Sequence, residues 1–178
     1  VGASKFRKDT AIKLLNEVHF SVIRGNISEI KTLYEWSENS YGVDAKKDDI
    51  ITEDNQKKVI RMAKELAVKT KAVIVITGET DLVTDGETVY FIKNGVPEMA
   101  RITGCGCMLD GVIAGFIGAN QGNILEATVT AVSAMGICGE YARENAKGTG
   151  TLKVHLIDAM SNIDETWMER SNQIESRS

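Results

Sequence analysis

The segment that most restricts the fold is Lys71 to Thr77, with the sequence Lys-Ala-Val-Ile-Val-Ile-Thr, in which an uninterrupted apolar run lies between the lysine and the threonine. A run of β-branched residues without polar alternation is typical of a strand covered on both faces, as in a parallel sheet. Directly before it, apolar residues at helical spacing predict an amphipathic helix from Asn55 to Lys69. A helix followed by a buried strand indicates an α/β fold with a mostly parallel central sheet.

The rest of the chain contains further segments in which apolar residues recur at helical intervals. These segments predict five more helices: one from Phe6 to Val18, one capped by Ser28 that runs through Leu33, and three at residues 107–119, 124–145 and 152–163. In the helix at residues 107–119, the apolar residues Met108, Leu109, Val112, Ile113 and Phe116 are expected to lie in the core. Cys138, among apolar residues of the next helix, is expected to be buried as a small hydrophobic residue.

Strands are predicted on both sides of the central run. A short one covers His19 to Ile23, and two hairpin signals, Asp85-Gly86 and Asn94-Gly95, separate three short strands between Leu82 and Ile102. The polar stretch from Ser37 to Asp54 predicts a loop. Neither an internal repeat nor a linker is visible, so we expect one domain over residues 1–178.

Composition limits the class of protein. A length of 178 residues with 43% hydrophobic residues suits one globular domain. A net charge of -4 argues against a nucleic-acid or anionic-membrane binder, and no apolar run approaches the roughly 20 residues of a membrane span. The three cysteines are an odd number, and Cys105 and Cys107 are too close for an ordinary disulfide, so we expect a reduced, cytoplasmic setting. Because the chain opens on Val1, we expect a piece of a longer polypeptide.

The sharpest motif is a glycine-rich turn, Arg101-Ile-Thr-Gly-Cys-Gly-Cys-Met-Leu-Asp-Gly111. A strand is predicted to end at Ile102, and a helix to begin near Cys107. Glycines permit positive φ and the close approach of a ligand. The first turn of a helix has N–H groups without intrahelical acceptors, and its dipole favours an anion. The motif therefore predicts a seat for a phosphate or a transferring phosphoryl group.

Cys107 stands where this helix begins, a position that stabilises a thiolate and suits a proton acceptor for an alcohol. Two other interpretations stay open at this point. A Gly-x-Gly turn before a helix often serves packing alone, and Cys105 and Cys107 together offer two sulfurs to a metal ion. His19 and His155, the histidines of the chain, are remote from these cysteines in sequence.

Three segments together resemble a known family. Thr103-Gly-Cys-Gly-Cys107 resembles the signature of the ribokinase-like superfamily, in which an aspartate usually ends the turn; a cysteine there is similar to the hydroxyethylthiazole kinase branch. Ile23-Arg-Gly-Asn-Ile-Ser-Glu-Ile30 and Val75-Ile-Thr-Gly-Glu-Thr-Asp81 resemble that family's Arg-Gly-Asn-x-x-Glu and Ile-Thr-Gly-Glu-x-Asp segments. Gly42 to Ala45 and the opening Val1 to Ala3 are weaker matches in the same order.

The resemblance implies a three-layer αβα sandwich without the family's N-terminal strands. It also implies ATP-dependent phosphorylation of the hydroxyl of 4-methyl-5-(2-hydroxyethyl)thiazole in thiamine salvage, with Mg²⁺ as cofactor, in a homotrimer. A related kinase, such as one acting on hydroxymethylpyrimidine, is the nearest alternative, and Cys107 in place of an aspartate argues against it. A non-catalytic nucleotide-binding domain would keep the anion seat without a base. No Gly-x4-Gly-Lys-Ser/Thr pattern occurs, which argues against a P-loop kinase.

By the same resemblance, Cys107 is the catalytic base and Gly104 lies against the substrate. The backbone N–H groups from Cys105 through Gly106 to Cys107 form the anion hole. An alternative for the glycines is a purely structural turn.

For the nucleotide, the resemblance implies that Arg24 binds ATP phosphates, which suits the fixed fork of a guanidinium. Thr77 would hydrogen-bond the nucleotide from the carboxyl end of a strand, where ligands of open α/β sheets lie. Glu29 would hold Mg²⁺, which needs few carboxylates. The open alternatives are a surface ion pair for Arg24, a simple strand end for Thr77 and a helix-start acid for Glu29. For Glu79 and Asp81, a position as solvated loop acids is an equal alternative to a functional role.

Overall fold

The computed structural model describes residues 4–37 and 55–177. Two family-like segments, Val1 to Ala3 and Gly42 to Ala45, lie outside the described residues. The loop predicted from Ser37 to Asp54 also lies outside them, apart from Ser37 itself, which ends a helix.

One five-stranded sheet organises the chain. Its strands lie in chain order across the sheet: β1 Val22–Asn26, β2 Val73–Thr77, β3 Asp81–Thr84, β4 Val89–Ile92 and β5 Ile174–Arg177. β1 pairs with β2 in parallel, whereas β2 and β3 are antiparallel, so the sheet is mixed. The prediction of an α/β fold is confirmed.

Seven α-helices are described: α1 Lys5–Glu17, α2 Ile27–Ser37, α3 Gln56–Thr70, α4 Cys105–Ala119, α5 Ile124–Asn145, α6 Thr149–Asn162 and α7 Glu165–Ser171. A 3₁₀ helix, Pro97–Arg101, precedes α4. The chain divides into two compact units, Val1–Tyr90 with Ser176–Ser178, and Phe91–Glu175. The single domain over residues 1–178 stays a prediction. None of the described helices is long and apolar enough to cross a membrane.

The core of the first unit forms around β2. Its four residues from Val73 to Ile76 are all buried, as predicted for a strand covered on both faces. The apolar stripe of α3 packs against it through Val59, Met62, Ala63, Leu66 and Ala67. Burying each large side chain contributes about 1.5–3 kcal/mol. The orientation of β2, and hence of its carboxyl end, is set by this packing.

The Asp85-Gly86 signal correctly marks the turn between β3 and β4. Gly86 has φ +104°, and a Cβ built there would lie 2.7 Å from Val68 Cγ2. Positive φ and the close helix both require glycine at this position.

The strand predicted to end at Ile102 is wrong. Residues 97–101 form the 3₁₀ helix, and Pro97 occupies its first turn. A proline there has the φ of a helix start, and its missing N–H is not needed. The amides of Met99 and Ile102 instead donate to Val96 and Met99 carbonyls at 3.0 and 3.1 Å. Only two strands, β3 and β4, therefore lie between Leu82 and Ile102 in the described chain.

The second hairpin signal, Asn94-Gly95, has a different role because Asn94 is buried. Its Oδ1 accepts hydrogen bonds from Ser133 Oγ and Gln173 N, both at 3.0 Å. Its Nδ2 donates to Glu140 Oε1 at 3.2 Å and to the Ser171 carbonyl at 2.7 Å. One side chain therefore connects α5 with the segment between α7 and β5.

The second unit is built around α5, which has the bounds predicted from sequence and buries fourteen of its 22 residues. α4 and α6 both pack against it. The C-terminal α7 and β5 were not predicted, because seven and four residues of mixed polarity give no clear period. α7 is held by Trp167, whose ring stacks on Tyr141 of α5 at a centroid distance of 4.2 Å.

Candidate functional site

The turn before α4 depends on one backbone conformation. Gly104 is the N-cap of the helix with φ +90° and ψ 0°, in the left-handed region. A Cβ built on Gly104 would meet no heavy atom within 4 Å, so glycine is needed here for its conformation and not for space. The Gly104 carbonyl accepts from Met108 N at 2.9 Å, which closes the first helical turn.

Replacing Gly104 with alanine is therefore expected to destabilise the protein by about 1–2 kcal/mol, the scale of a left-handed conformation for an L-residue. Urea unfolding would measure the loss. Gly111→Ala is the matched control, because its Cβ also meets nothing within 4 Å but its backbone is helical. That control is expected to be neutral or to gain up to about 1 kcal/mol. Equal losses in the two variants would contradict a conformational role for Gly104.

The amides of the first turn of α4 lie where the sequence predicts an anion seat. α4 begins at Cys105, two residues before the predicted start at Cys107. The Cys105 amide donates to the Ile102 carbonyl at 3.2 Å, so it is already engaged. The amides of Gly106 and Cys107 belong to the first turn and have no intrahelical acceptor. These two N–H groups, together with the helix dipole, favour an anion in front of α4.

In the described ranges, which include all three cysteines, none of them forms a disulfide. Cys107, the third residue of α4, is exposed, so its thiol is accessible to a ligand. Cys105 is half-buried. Cys138 is buried as predicted, and burial raises the pKa of its thiol to about 11. Among the cysteines, exposure at the start of a helix singles out Cys107 as the candidate proton acceptor.

A second group of candidate residues lies in the first unit, at the carboxyl ends of the parallel strands β1 and β2. Asn26 and Thr77 are register partners that end these strands. Thr77 is half-buried, and its Oγ1 donates a long hydrogen bond of 3.5 Å to the Gly25 carbonyl. Arg24, two residues before the end of β1, is also half-buried. Ligands of α/β sheets bind beyond this edge of the strands.

Glu29 lies in the first turn of α2 and forms a capping box with Asn26. Asn26 N donates to Glu29 Oε2 at 2.9 Å, and Glu29 N donates to Asn26 Oδ1 at 2.8 Å. The helix start predicted at Ser28 is therefore wrong, since α2 begins at Ile27 and the Asn26 side chain accepts from the Glu29 amide of its first turn. Burial raises the pKa of the Glu29 carboxyl, whereas the hydrogen bond from Asn26 N and the charge of Arg24 lower it, and the pKa lies below its ordinary value.

Gly25 explains why α2 can approach β1 so closely. A Cβ at Gly25 would lie 3.0 Å from Glu29 Cβ and 3.2 Å from Glu29 Oε2. A larger residue would therefore displace the Glu29 carboxylate. The glycine of the Arg-Gly-Asn segment sets the position of Glu29 relative to the strand end.

Asp81 differs from the solvated loop acid that the sequence suggested. It begins β3, is half-buried, and its Oδ1 accepts from Gly78 N at 2.9 Å. Burial raises its pKa to about 6, although the Gly78 hydrogen bond and the charge of Arg24 oppose that rise. Glu79, two residues earlier, is exposed as expected. In the sequence, the burial of Asp81 has one indication: Asp81 is the first residue of β3, which closely follows the buried strand β2.

A magnesium ion would find a limited set of protein ligands. No cluster of three or more His, Cys, Asp or Glu residues occurs in the described ranges 4–37 and 55–177. The ionised Glu29 carboxylate still fits Mg²⁺, which takes one or two carboxylates and completes its shell with phosphate and water oxygens. Within the same ranges, Cys105 and Cys107 have no third ligand for the alternative metal site.

The predicted residues thus form two groups. Gly104, Cys105, Gly106 and Cys107 lie together at the start of α4 in the second unit. Arg24, Glu29 and Thr77 lie together at the strand ends of the first unit, and Asp81 joins them. The charge of Arg24 acts on both Glu29 and Asp81, so Arg24 is more than an isolated surface cation.

Comparisons with known proteins give consistent matches. The model of the hydroxyethylthiazole kinase family matches residues 1–166. A hydroxyethylthiazole kinase of Clostridium acetobutylicum is 45% identical over 99% of this chain and 66% of its own length. Hydroxyethylthiazole kinase 1 of Clostridium botulinum (strain Loch Maree) is 43% identical over 99% of this chain and 65% of its own.

The fold has a match among solved structures. The structure of a hydroxyethylthiazole kinase protein from Pyrococcus horikoshii OT3 superposes with a TM-score of 0.84 at 26% identity. The match covers 100% of this chain and 63% of that one. This chain therefore spans a little under two thirds of the length of these relatives.

Proposed function

Because the chain belongs to the hydroxyethylthiazole kinase family, we propose that the protein transfers the γ-phosphoryl group of ATP to the hydroxyl of 4-methyl-5-(2-hydroxyethyl)thiazole, a reaction of thiamine salvage. One observation carries the proposal. An exposed thiol, Cys107, lies on the first turn of a helix whose N-cap, Gly104, has φ +90°. From that arrangement we infer that the thiol accepts a proton next to amides suited to a transferring phosphoryl group.

In the second unit, Gly104 leaves room for the substrate beside the turn. The thiolate of Cys107 accepts the hydroxyl proton while the alcohol oxygen bonds to the γ-phosphorus, and the bond from that phosphorus to the β-phosphate oxygen breaks. The amides of Gly106 and Cys107 stabilise the negative charge on the transferring group; that of Cys105, already bonded to Ile102, contributes less.

In the first unit, Arg24 binds the ATP phosphates through its guanidinium fork. Thr77 hydrogen-bonds the nucleotide from the end of β2, since its own bond to the Gly25 carbonyl is long at 3.5 Å and is readily replaced. Glu29 holds Mg²⁺ through its ionised carboxylate. Bound there, the cation would neutralise phosphate charge.

The oligomeric state and location follow the family resemblance. We propose a homotrimer in the cytoplasm, with residues 1–178 as part of a single ribokinase-like domain. Three cysteines without a disulfide among the described residues are consistent with a reducing compartment.

The substrate assignment is tested by giving the purified protein ATP and Mg²⁺ with either the thiazole alcohol or hydroxymethylpyrimidine. We expect kcat/KM for the thiazole to be larger by about 10²-fold or more, because each substrate needs a differently shaped and hydrogen-bonded pocket. Mass spectrometry of the phosphorylated products provides the measurement. Preference for the pyrimidine would assign a related kinase. ATP binding without transfer to either alcohol would indicate a non-catalytic nucleotide-binding domain.

A further inference from the structure

The turn between β2 and β3 contains two acids with opposite environments. Glu79 is exposed, whereas Asp81 is half-buried and accepts a hydrogen bond from Gly78 N at 2.9 Å. Gly78 directly follows Thr77, the proposed nucleotide ligand. The Asp81 carboxylate therefore closes the turn that leads away from Thr77.

The fold keeps a carboxylate here although its surroundings disfavour the charge. Burial is the largest influence and raises the Asp81 pKa to about 6. Arg24 of β1 is the charged group that acts on Asp81, and β2, the strand between β1 and β3, carries no titratable side chain. From α2, Glu29 faces the same guanidinium. A residue needed only to close the turn would serve equally well as a neutral asparagine, whose amide oxygen accepts the same hydrogen bond.

We propose that Asp81 is a positioning residue for the nucleotide, which orients the Arg24 guanidinium through its negative charge and fixes the backbone after Thr77 through the Gly78 amide. The proposal rests on the ATP-binding roles proposed for Arg24 and Thr77. Carboxylates at positions 29 and 81 both attract the Arg24 charge, and in this proposal that attraction limits the freedom of the guanidinium before ATP binds. Less side-chain freedom is then lost on binding.

The test compares Asp81→Asn with Glu79→Gln, which removes one negative charge from an exposed position of the same turn. We expect Asp81→Asn to raise the KM for ATP and its calorimetric Kd about tenfold, the scale of the coupling between two residues of one charged network. kcat and the KM for the thiazole alcohol should stay within about twofold, since Asp81 acts through ground-state binding of the nucleotide. Glu79→Gln should match the wild type in all four quantities. Equal ATP constants in the two variants would overturn the proposal.

Stability gives a readout that separates positioning from a structural role. Because the pKa of Asp81 is about 6 in the folded protein and about 4 in the unfolded chain, the folded protein binds this proton more tightly. The contribution of Asp81 to the free energy of unfolding therefore falls as the pH rises from about 4 to about 6. Asp81→Asn should therefore melt at the wild-type temperature near pH 4 and above it near pH 8. A lower melting temperature near pH 8, with kcat and KM both impaired, would show a merely structural role and overturn the proposal.

A double-mutant cycle tests the connection to Arg24. In an Arg24→Gln background, Asp81→Asn is expected to change the Kd for ATP less than about twofold, because coupled residues are not additive. A full tenfold effect in that background would overturn action through Arg24. The controls also separate this inference from the proposed function. A wild type that binds ATP but transfers no phosphoryl group contradicts the function alone, whereas an active wild type with an unaffected Asp81→Asn variant contradicts the inference alone.

Discussion

Replacing Cys107 with alanine is expected to lower kcat by about 10²–10⁴-fold, the contribution that a positioned general base typically makes. Alanine removes the proton acceptor but keeps the helical backbone and the first-turn amides. The Kd for ATP should therefore stay close to the wild-type value, because the phosphates are assigned to Arg24 and Thr77 in the other unit. Product formation under saturating substrates measures kcat, and calorimetry measures the Kd.

Two further variants show whether the effect belongs to proton transfer. Cys107→Asp is expected to keep turnover, since a carboxylate can also accept the hydroxyl proton. Cys138→Ala removes a buried thiol elsewhere in the same unit and should leave kcat unchanged. Undiminished turnover in Cys107→Ala would remove Cys107 from its assigned role, and complete loss in Cys107→Asp would count against a base at this position.

The elements predicted best from the sequence are those whose packing follows a single strong pattern. β2 is a continuous apolar run buried on both faces, and α5 has the predicted bounds because its apolar residues extend over its whole length. The glycine-rich turn was also predictable, since glycine permits the positive φ that residue 104 adopts. In each case a local property of the chain determined the structure.

Local signals failed where tertiary contacts decide the outcome. Asn94-Gly95 has the composition of a hairpin turn, yet Asn94 is buried by partners that lie 39 to 79 residues away in sequence. Glu79 and Asp81 look alike in the sequence, and only the folded structure distinguishes them, because Asp81 is half-buried and lies within the influence of the Arg24 charge whereas Glu79 is exposed. α4 is a related case: among its five predicted core residues, only Leu109 and Ile113 are buried, because a helix that is apolar on all sides does not mark which face packs.

Gly136→Ala is expected to be the most destabilising small change in the second unit. A Cβ at residue 136 would lie 2.6 Å from the carbonyl carbon, the oxygen and the Cβ of Asn94. Asn94 cannot retreat from this contact, because its four side-chain hydrogen bonds fix it between α5 and the C-terminal segment. Alanine normally stabilises a helix interior by about 1 kcal/mol relative to glycine. Overpacking against a fixed backbone outweighs that gain, and we expect a net loss of about 3 kcal/mol.

Gly139→Ala is the matched control because it lies one helical turn away in α5. The nearest atom to its Cβ, Met99 Sδ, is even closer at 2.1 Å. That atom belongs to the end of a flexible side chain with three rotatable bonds, so it can move aside. We expect urea unfolding to show a change within about 1 kcal/mol for Gly139→Ala. Equal losses in the two variants would mean that contact distance alone decides the cost. A large loss confined to Gly136→Ala would mean that the rigidity of Asn94 determines the loss of stability. The buried Asn94 side chain would then set the distance between α5 and the segment that follows β4.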